Sequence, residues 1–192
     1  MSSLLILASE SPRRLALLAQ AGILPDAVLP AAIDESVRKA ELPRAHAVRL
    51  AAEKARKVQS EWRGKPAFVL AADTVVALGR RILPKAADVD EVRACLKLLS
   101  GRRHQVITAV ALISPDGRLR QRVAATRVSV LQLSDAAIAD YVASGEGVGK
   151  AGGYAIQGRA EMLIKEISGS WSNVVGLPLA LTVALLKGAG HG

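Results

Sequence analysis

Two hydrophobic rhythms alternate along this chain. Short uninterrupted apolar runs are separated by stretches in which apolar residues recur at helical spacing. Leu4-Leu5-Ile6-Leu7-Ala8 is the first run and reads as a buried strand. Ser11-Pro12 then predicts an N-cap with proline at the first helical position, opening a helix to about Ala21 that Gly22 ends. Val28 to Ile33 reads as extended, with Asp34-Glu35-Ser36 at its polar end. A longer helix follows from Pro43 to about Trp62. Val48, Ala51, Ala52, Ala55 and Val58 form its apolar face, and Arg49, Glu53, Arg56, Lys57 and Glu61 its solvated one. Ala67 to Ala72 predicts a second buried strand with Asp73-Thr74 at its tip. Val75 to Leu78 comes next, and Gly79-Arg80 turns the chain into Ile82-Leu83.

The second half changes character. Asp88 to Ser100 is helical, with Val89, Val92, Leu96 and Leu99 in phase and Gly101 as the residue that ends it. His104 to Ile113 and Arg118 to Leu133 are strand-like and joined by the turn Pro115-Asp116-Gly117. Ser134 caps a short helix to Ala143, and a glycine-rich stretch runs from Gly145 to Gly158. Strand-like Met162 to Ile167 and a helix from near Leu177 complete the pattern. Alternating strands and helices with one hairpin predict an α/β fold: a mixed sheet with flanking helices, and a cleft between a middle lobe and the N-terminal elements. With no repeat, low-complexity segment or linker, residues 1–192 read as one domain.

Composition narrows the function. Half of the residues are hydrophobic (51%) and charges are not blocked together, which excludes intrinsic disorder. The longest uncharged, largely apolar stretch, Val174 to Leu186, has 13 residues and contains Gly176 and Pro178, against the ~20 that a membrane span needs. Met1-Ser2-Ser3 lacks the basic start of a signal peptide, and the lone Cys95 sits on the apolar side of a helix as a core thiol. These features read as cytoplasmic. The net charge of +9 suits nucleic acid, an anionic surface or a polyanionic small molecule. Five scattered aromatic residues and dispersed cations argue against a nucleic-acid polymer.

Three polar islands interrupt the apolar pattern. Ser9-Glu10-Ser11-Pro12-Arg13-Arg14 joins a strand end to a helix start, where backbone N–H groups, hydroxyls and guanidinium forks suit phosphate oxygens; an ordinary cap with surface arginines is the plainer alternative. Asp73, beside Thr74, is a carboxylate where a buried run ends. It suits a divalent metal or a general base, or else caps a turn. Gly152-Gly153-Tyr154-Ala155-Ile156-Gln157-Gly158 allows close backbone approach to a ligand, and Gln157 carries both a donor and an acceptor. Glu35, Lys54 and Lys85 lie near element ends or on helical faces, as surface charges commonly do. His46, His104 and His191 have no metal-ligand spacing, and no serine-hydrolase motif occurs.

Taken in order, these segments resemble the Maf family of nucleoside triphosphate pyrophosphatases. The resemblance is carried by Leu5 to Arg14, Ile33-Asp34-Glu35, Glu53-Lys54-Ala55 and Ala71 to Val76. Ser100-Gly101-Arg102 through His104 to Thr108, Lys150 to Gly158, and Asn173-Val174-Val175-Gly176-Leu177-Pro178-Leu179 complete it. It implies a fold similar to the inosine triphosphate pyrophosphatases and hydrolysis between the α and β phosphorus atoms, with Mg²⁺ or Mn²⁺ as cofactor. Asp73 matches the catalytic carboxylate. Arg13, Thr74 and Gln157 match positions tied to substrate selectivity, and Ser9, Arg14, Glu35, Lys54 and Lys85 match polar residues lining the same cleft. The metal ligands are left open. The Tyr154-to-Gly158 segment resembles the branch acting on dTTP and UTP; action on 7-methyl-GTP, or a non-catalytic role in septum formation, is the alternative. The resemblance also allows a homodimer. The chain departs from the family pattern at Gly149 (commonly Asp), around Lys85 in Leu83-Pro84-Lys85-Ala86, and at Leu181 (commonly Glu).

Overall fold

The computed structural model describes residues 4–191, so the reading of Met1-Ser2-Ser3 lies outside the described residues. The strands are β1 (Leu4–Ala8), β2 (Ala27–Val28), β3 (Ala67–Leu78), β4 (Arg81–Leu83), β5 (Arg103–Ile113), β6 (Leu119–Val130) and β7 (Ile164–Ser168). They form one mixed sheet in the order β2-β1-β3-β5-β6-β7, with β4 folded back on β3. The helices are α1 (Pro12–Gln20), α2 (Pro43–Glu61), α3 (Val89–Leu99), α4 (Asp135–Ala143), α5 (Trp171–Val175) and α6 (Leu179–Gly188). The α/β architecture, a mixed sheet with flanking helices, is as the pattern predicts.

Both faces of the sheet are covered, which is why the central strands read as continuous apolar runs. Side chains alternate across a strand, so parity assigns each residue to a face. Leu5, Leu7, Leu70, Ala72, Val76, Val110 and Leu112 join one core with residues of α1, α3, α4 and α6. Ile6, Ala8, Val69, Ala71, Val75, Ala109 and Ala111 join the other, against α2. Along α2, Ala47, Ala51 and Ala55 are fully buried, and their small side chains let the helix lie close on the strands.

Several expectations need correction. Asp73 is not at a strand tip: β3 runs unbroken through it, and Asp73 pairs with Ala109 of β5 in the middle of a long antiparallel ladder. Of the segment from Val28 to Ile33 read as extended, only Val28 belongs to a strand, β2, and the last bond to β1 is from the Leu29 N–H to the Leu7 carbonyl. Val89, placed in the core by phase, is exposed at the start of α3. Arg49 and Glu53 are not simply solvated, because Arg49 is bonded to both Glu41 and Glu53. A 3-10 turn, Arg159–Leu163, replaces the start of the predicted Met162 strand, and α5 was not foreseen. Ser11 is the N-cap residue of α1 by backbone, yet its side chain makes no capping bond.

One feature of the sheet positions the site. β1 pairs with β3 as far as Ala8 opposite Ala71, and β4 takes up pairing on β3 at Val76. Between them, residues 72–75 of β3 have no strand on that side among the described residues. The cleft opens at this gap, where a neighbouring strand ends and the chain leaves the sheet.

Candidate active site

A cavity of about 520 Å³ sits at the gap, within the range of small-molecule sites. Ser9, Arg13, Arg14, Glu35, Lys54, Asp73, Thr74, Lys85 and Gln157 all line it. They come from the end of β1, the start of α1, the loop before α2, α2 itself, β3, the segment after β4 and the glycine-rich loop.

An alternating chain of charges crosses the cavity. The Lys54 ammonium lies 2.7 Å from Asp73 Oδ1 and 2.6 Å from Glu35 Oε1. Lys85 Nζ then lies 2.6 Å from Glu35 Oε2. Parity explains the first link: Asp73 shares the face of Val69, Ala71 and Val75, and α2 packs on that face with Lys54 buried in its contact surface. A buried carboxylate beside a buried ammonium satisfies both charges, where either alone would be costly. Partial burial pushes the Glu35 carboxyl up, but hydrogen bonds and charge from Lys54 and Lys85 outweigh it and hold the group down at about 2.

Thr74 points to the opposite face, among hydroxyl, carbonyl and guanidinium groups. Its hydroxyl is 3.0 Å from Thr108 Oγ1, directly across the β3–β5 ladder, and Thr108 donates to the Asn173 carbonyl on α5. Arg14 joins this group. It donates from Nε to the Gly176 carbonyl (2.9 Å), from Nη1 to Ser9 Oγ (3.1 Å) and from Nη2 to Thr74 Oγ1 (3.2 Å). Three of its five N–H bonds are thus spent on holding α1, β3 and α5 together, leaving the outer edge of the fork for a ligand. Burial draws the Arg14 guanidinium below its usual value, and the charge of Asp73 counters that in part.

Arg13 and Lys150 differ. Both line the cavity, and no carboxylate among the described residues pairs with either. Burial lowers both, and for Lys150 the charge of Arg13 adds to the effect. Two cations without a carboxylate partner, one of which lowers the other, mark a place suited to a multivalent anion. Lys150 was missed as a site residue, although it stands in a segment that carried the family resemblance; the available signal was its place before Ala151-Gly152-Gly153. Glu10 was also missed, and it lines the cavity mouth.

The glycine-rich loop is held by packing and neutral hydrogen bonds. Gly152 has φ +69°, and a Cβ there would lie 2.8 Å from Val76 Cγ1. A Cβ on Gly153, at φ +70°, would lie 3.0 Å from Cys95 Cβ and 3.2 Å from Val92 Cα. These glycines therefore permit close approach to the protein's own core, and not to a ligand as their number suggested. His104 Nε2 is 2.7 Å from Tyr154 Oη, and Tyr141 Oη accepts from the Ala155 N–H. Burial pushes His104 down to about 4, so it is neutral at ordinary pH. Beyond these anchors Gln157 is exposed at the rim.

The chain is similar to known proteins over nearly its whole length. A sequence model of the family described as Maf-like protein matches residues 4–189. The dTTP/UTP pyrophosphatase of Rhodopseudomonas palustris (strain HaA2) is 58% identical over 191 residues, covering 97% of this chain and 92% of that protein. The dTTP/UTP pyrophosphatase of Caulobacter vibrioides is 58% identical over 187 residues, covering 97% and 96%. The Brucella abortus (strain 2308) protein of the same name is 55% identical over 191 residues, covering 97% and 92%. Solved structures align more loosely. A HAM1 protein from Coxiella burnetii gives a TM-score of 0.44 at 18% identity over 68% of this chain and 74% of its own.

Proposed function

The chain belongs to the Maf-like protein family, and from that membership we propose that it is a nucleoside triphosphate pyrophosphatase. It hydrolyses the α–β phosphoanhydride of dTTP and UTP to the nucleoside monophosphate and pyrophosphate. The observation that carries the reading is the meeting of Asp73, Lys54, Glu35 and Lys85 in one charged chain beside Arg13 and Lys150.

The residues divide the work. Asp73, bonded to Lys54 through Oδ1, takes the proton of the attacking water on Oδ2 as the water oxygen bonds to the α-phosphorus. The bond from the α-phosphorus to the bridging oxygen breaks, and its electrons leave with pyrophosphate. Lys85, Arg13, Lys150 and the outer edge of Arg14 face the triphosphate and stabilise charge on the leaving group. Gln157 reads the base edge with its amide, and Thr74 and Ser9 fix the Arg14 fork.

Mg²⁺ or Mn²⁺ belongs to the same proposal. Among the described residues no group of three or more His, Cys, Asp or Glu side chains is arranged to hold a metal ion. The donor set still fits a hard cation. Two carboxylates converge on one ammonium, and Mg²⁺ commonly takes one or two carboxylates and completes its shell with substrate phosphates and water. Glu35 and Asp73 would hold it, and the ion when bound neutralises phosphate oxygens.

The same reading takes residues 1–192 as one domain of a cytoplasmic enzyme and a homodimer as its assembly, the latter open to light scattering. Among the described residues no helix is long and apolar enough to cross a membrane. The test is pyrophosphate release from dTTP, UTP, CTP, GTP and 7-methyl-GTP with Mg²⁺ or Mn²⁺. Selective turnover of dTTP and UTP, falling about 10²-fold or more in Asp73→Asn, is the expected result. Near-normal turnover in that folded variant overturns the role of Asp73, and preference for 7-methyl-GTP overturns the substrate.

A further inference from the structure

The segment that presents Glu35 has no regular structure of its own. Between β2 and α2 the chain is irregular, and two local turns shape the residues after Glu35. The Ser36 N–H and hydroxyl bond to the Asp34 carboxylate, and the Glu41 N–H bonds to the Arg38 carbonyl. Such turns do not fix where a loop sits relative to a helix. Something else must hold Glu35 against Lys54.

A second ion network, separate from the cavity, spans this distance. The Glu41 carboxylate, nine-tenths buried, accepts from Arg49 Nε at 2.6 Å and Arg49 Nη2 at 2.8 Å, a two-pronged pairing. It also accepts the Arg38 N–H at 3.0 Å and lies 2.8 Å from His46 Nδ1. Arg49 reaches further on both sides, to Glu53 Oε2 at 3.1 Å and to the Ser36 carbonyl at 2.9 Å. Ser36 is the neighbour of Glu35, and Glu53 the neighbour of Lys54. Ala40, beside Glu41, has φ +58° and is the one non-glycine residue of positive φ among the described residues. An L side chain enters that region only when its surroundings hold it there.

We propose that Glu41 and Arg49 form a clamp that positions Glu35 for the reaction. One guanidinium ties the backbone next to Glu35 to the turn of α2 that carries Lys54. Glu41 and Arg49 line no part of the cavity, so they are positioning residues that act through Glu35. A planar fork is needed, because a lysine at position 49 cannot meet Glu41 with two parallel bonds and the Ser36 carbonyl together. The inference rests on the reading of Glu35 as part of the catalytic machinery.

The test compares Glu41→Gln and Arg49→Lys with wild type by pyrophosphate release from dTTP, alongside the amide exchange rate of Arg38, whose N–H the Glu41 carboxylate accepts. Each variant is expected to lose about 10- to 100-fold in kcat, with KM changed by less than roughly threefold and faster Arg38 exchange. The double variant Arg49→Lys with Glu35→Gln should be no slower than Glu35→Gln alone, since the clamp has nothing left to position. Wild-type kcat in both folded variants, a loss confined to KM, or losses that multiply in the double variant would overturn the clamp. No turnover of any nucleotide by wild type would instead overturn the enzymatic reading. Arg38 exchange then decides the clamp by itself: faster exchange in both variants supports it, and an unchanged rate removes it.

Discussion

The two ends of the cavity are built from opposite kinds of interaction. At the Asp73 end, four charged side chains from four segments alternate in sign and touch at 2.6 to 2.7 Å. At the glycine-rich end, the loop is anchored by tyrosine hydroxyls, a neutral histidine and backbone packed on Val76 and Val92. The charged end depends on partners a triphosphate can rearrange, so it suits chemistry that moves charge. Apart from Lys150, this end has little charge to rearrange, so it suits holding a fixed shape against a base. Variants at the charged end should therefore change turnover and leave base preference alone. Variants at the loop anchors should change stability and base preference first.

Lys54→Met gives the largest expected effect. It leaves Asp73 and Glu35 facing one another without the shared ammonium, and the loss of one partner from a buried pair costs about 3–5 kcal/mol. Turnover should fall about 10²-fold or more while the ratio of dTTP to GTP rates is kept. Steady-state kinetics with a chemical melt check both, and an altered ratio would break the division between the two ends.

His104 gives the next effect, through pH. Its value falls from 6.5 in the unfolded chain to about 4 in the folded one, so between these values the unfolded state binds more protons. Stability is lost as pH falls through that window and loses no more to this group below it. The full shift corresponds to roughly 3 kcal/mol. Chemical melts from pH 7 to pH 4 should show the decline, and a His104→Asn variant should show a shallower one. The charged end titrates differently. Glu35 is held down at about 2, so its contribution is present above the ordinary carboxylate range and fades only as pH falls toward that value.

Tyr154→Phe gives the smallest effect. It removes one hydrogen bond and leaves a second His104 nitrogen without a partner, since Nδ1 is already buried without one among the described residues. The cost should be about 1–3 kcal/mol, with turnover of dTTP within severalfold of wild type and weaker discrimination among bases. Unchanged discrimination would show that Gln157 does not depend on this anchor.

Much of the fold was legible because local chemistry and tertiary structure agree here. β1, α1, α3 and the β5–β6 hairpin follow from apolar runs, Ser11-Pro12, Asp88 and Gly117 without reference to anything distant. Errors arose where a distant partner decides. Asp73 interrupts an apolar run and so resembled a strand end, but Ala109 across the ladder and Lys54 on α2 let the strand continue through it. Arg49 had the spacing of a solvated face, but Glu41, just before the start of α2, pairs with it. For Lys150 the local mark was only its place before Ala151-Gly152-Gly153, and the cavity it lines is formed by segments distant in the chain.

The sequence by itself determined the alternation of strands and helices, the hairpin that makes the sheet mixed, and the set of nine residues that line one cavity. Each of these rests on short-range pattern or on motifs whose order is preserved along the chain. Only the tertiary structure decided that the cavity opens where β1 ends before β3 does, that Arg14 spends three donors inside the protein, and that one ammonium joins Asp73 to Glu35. These depend on strand register and on which face α2 covers. Both are set by packing between segments far apart in the chain, which local spacing does not encode.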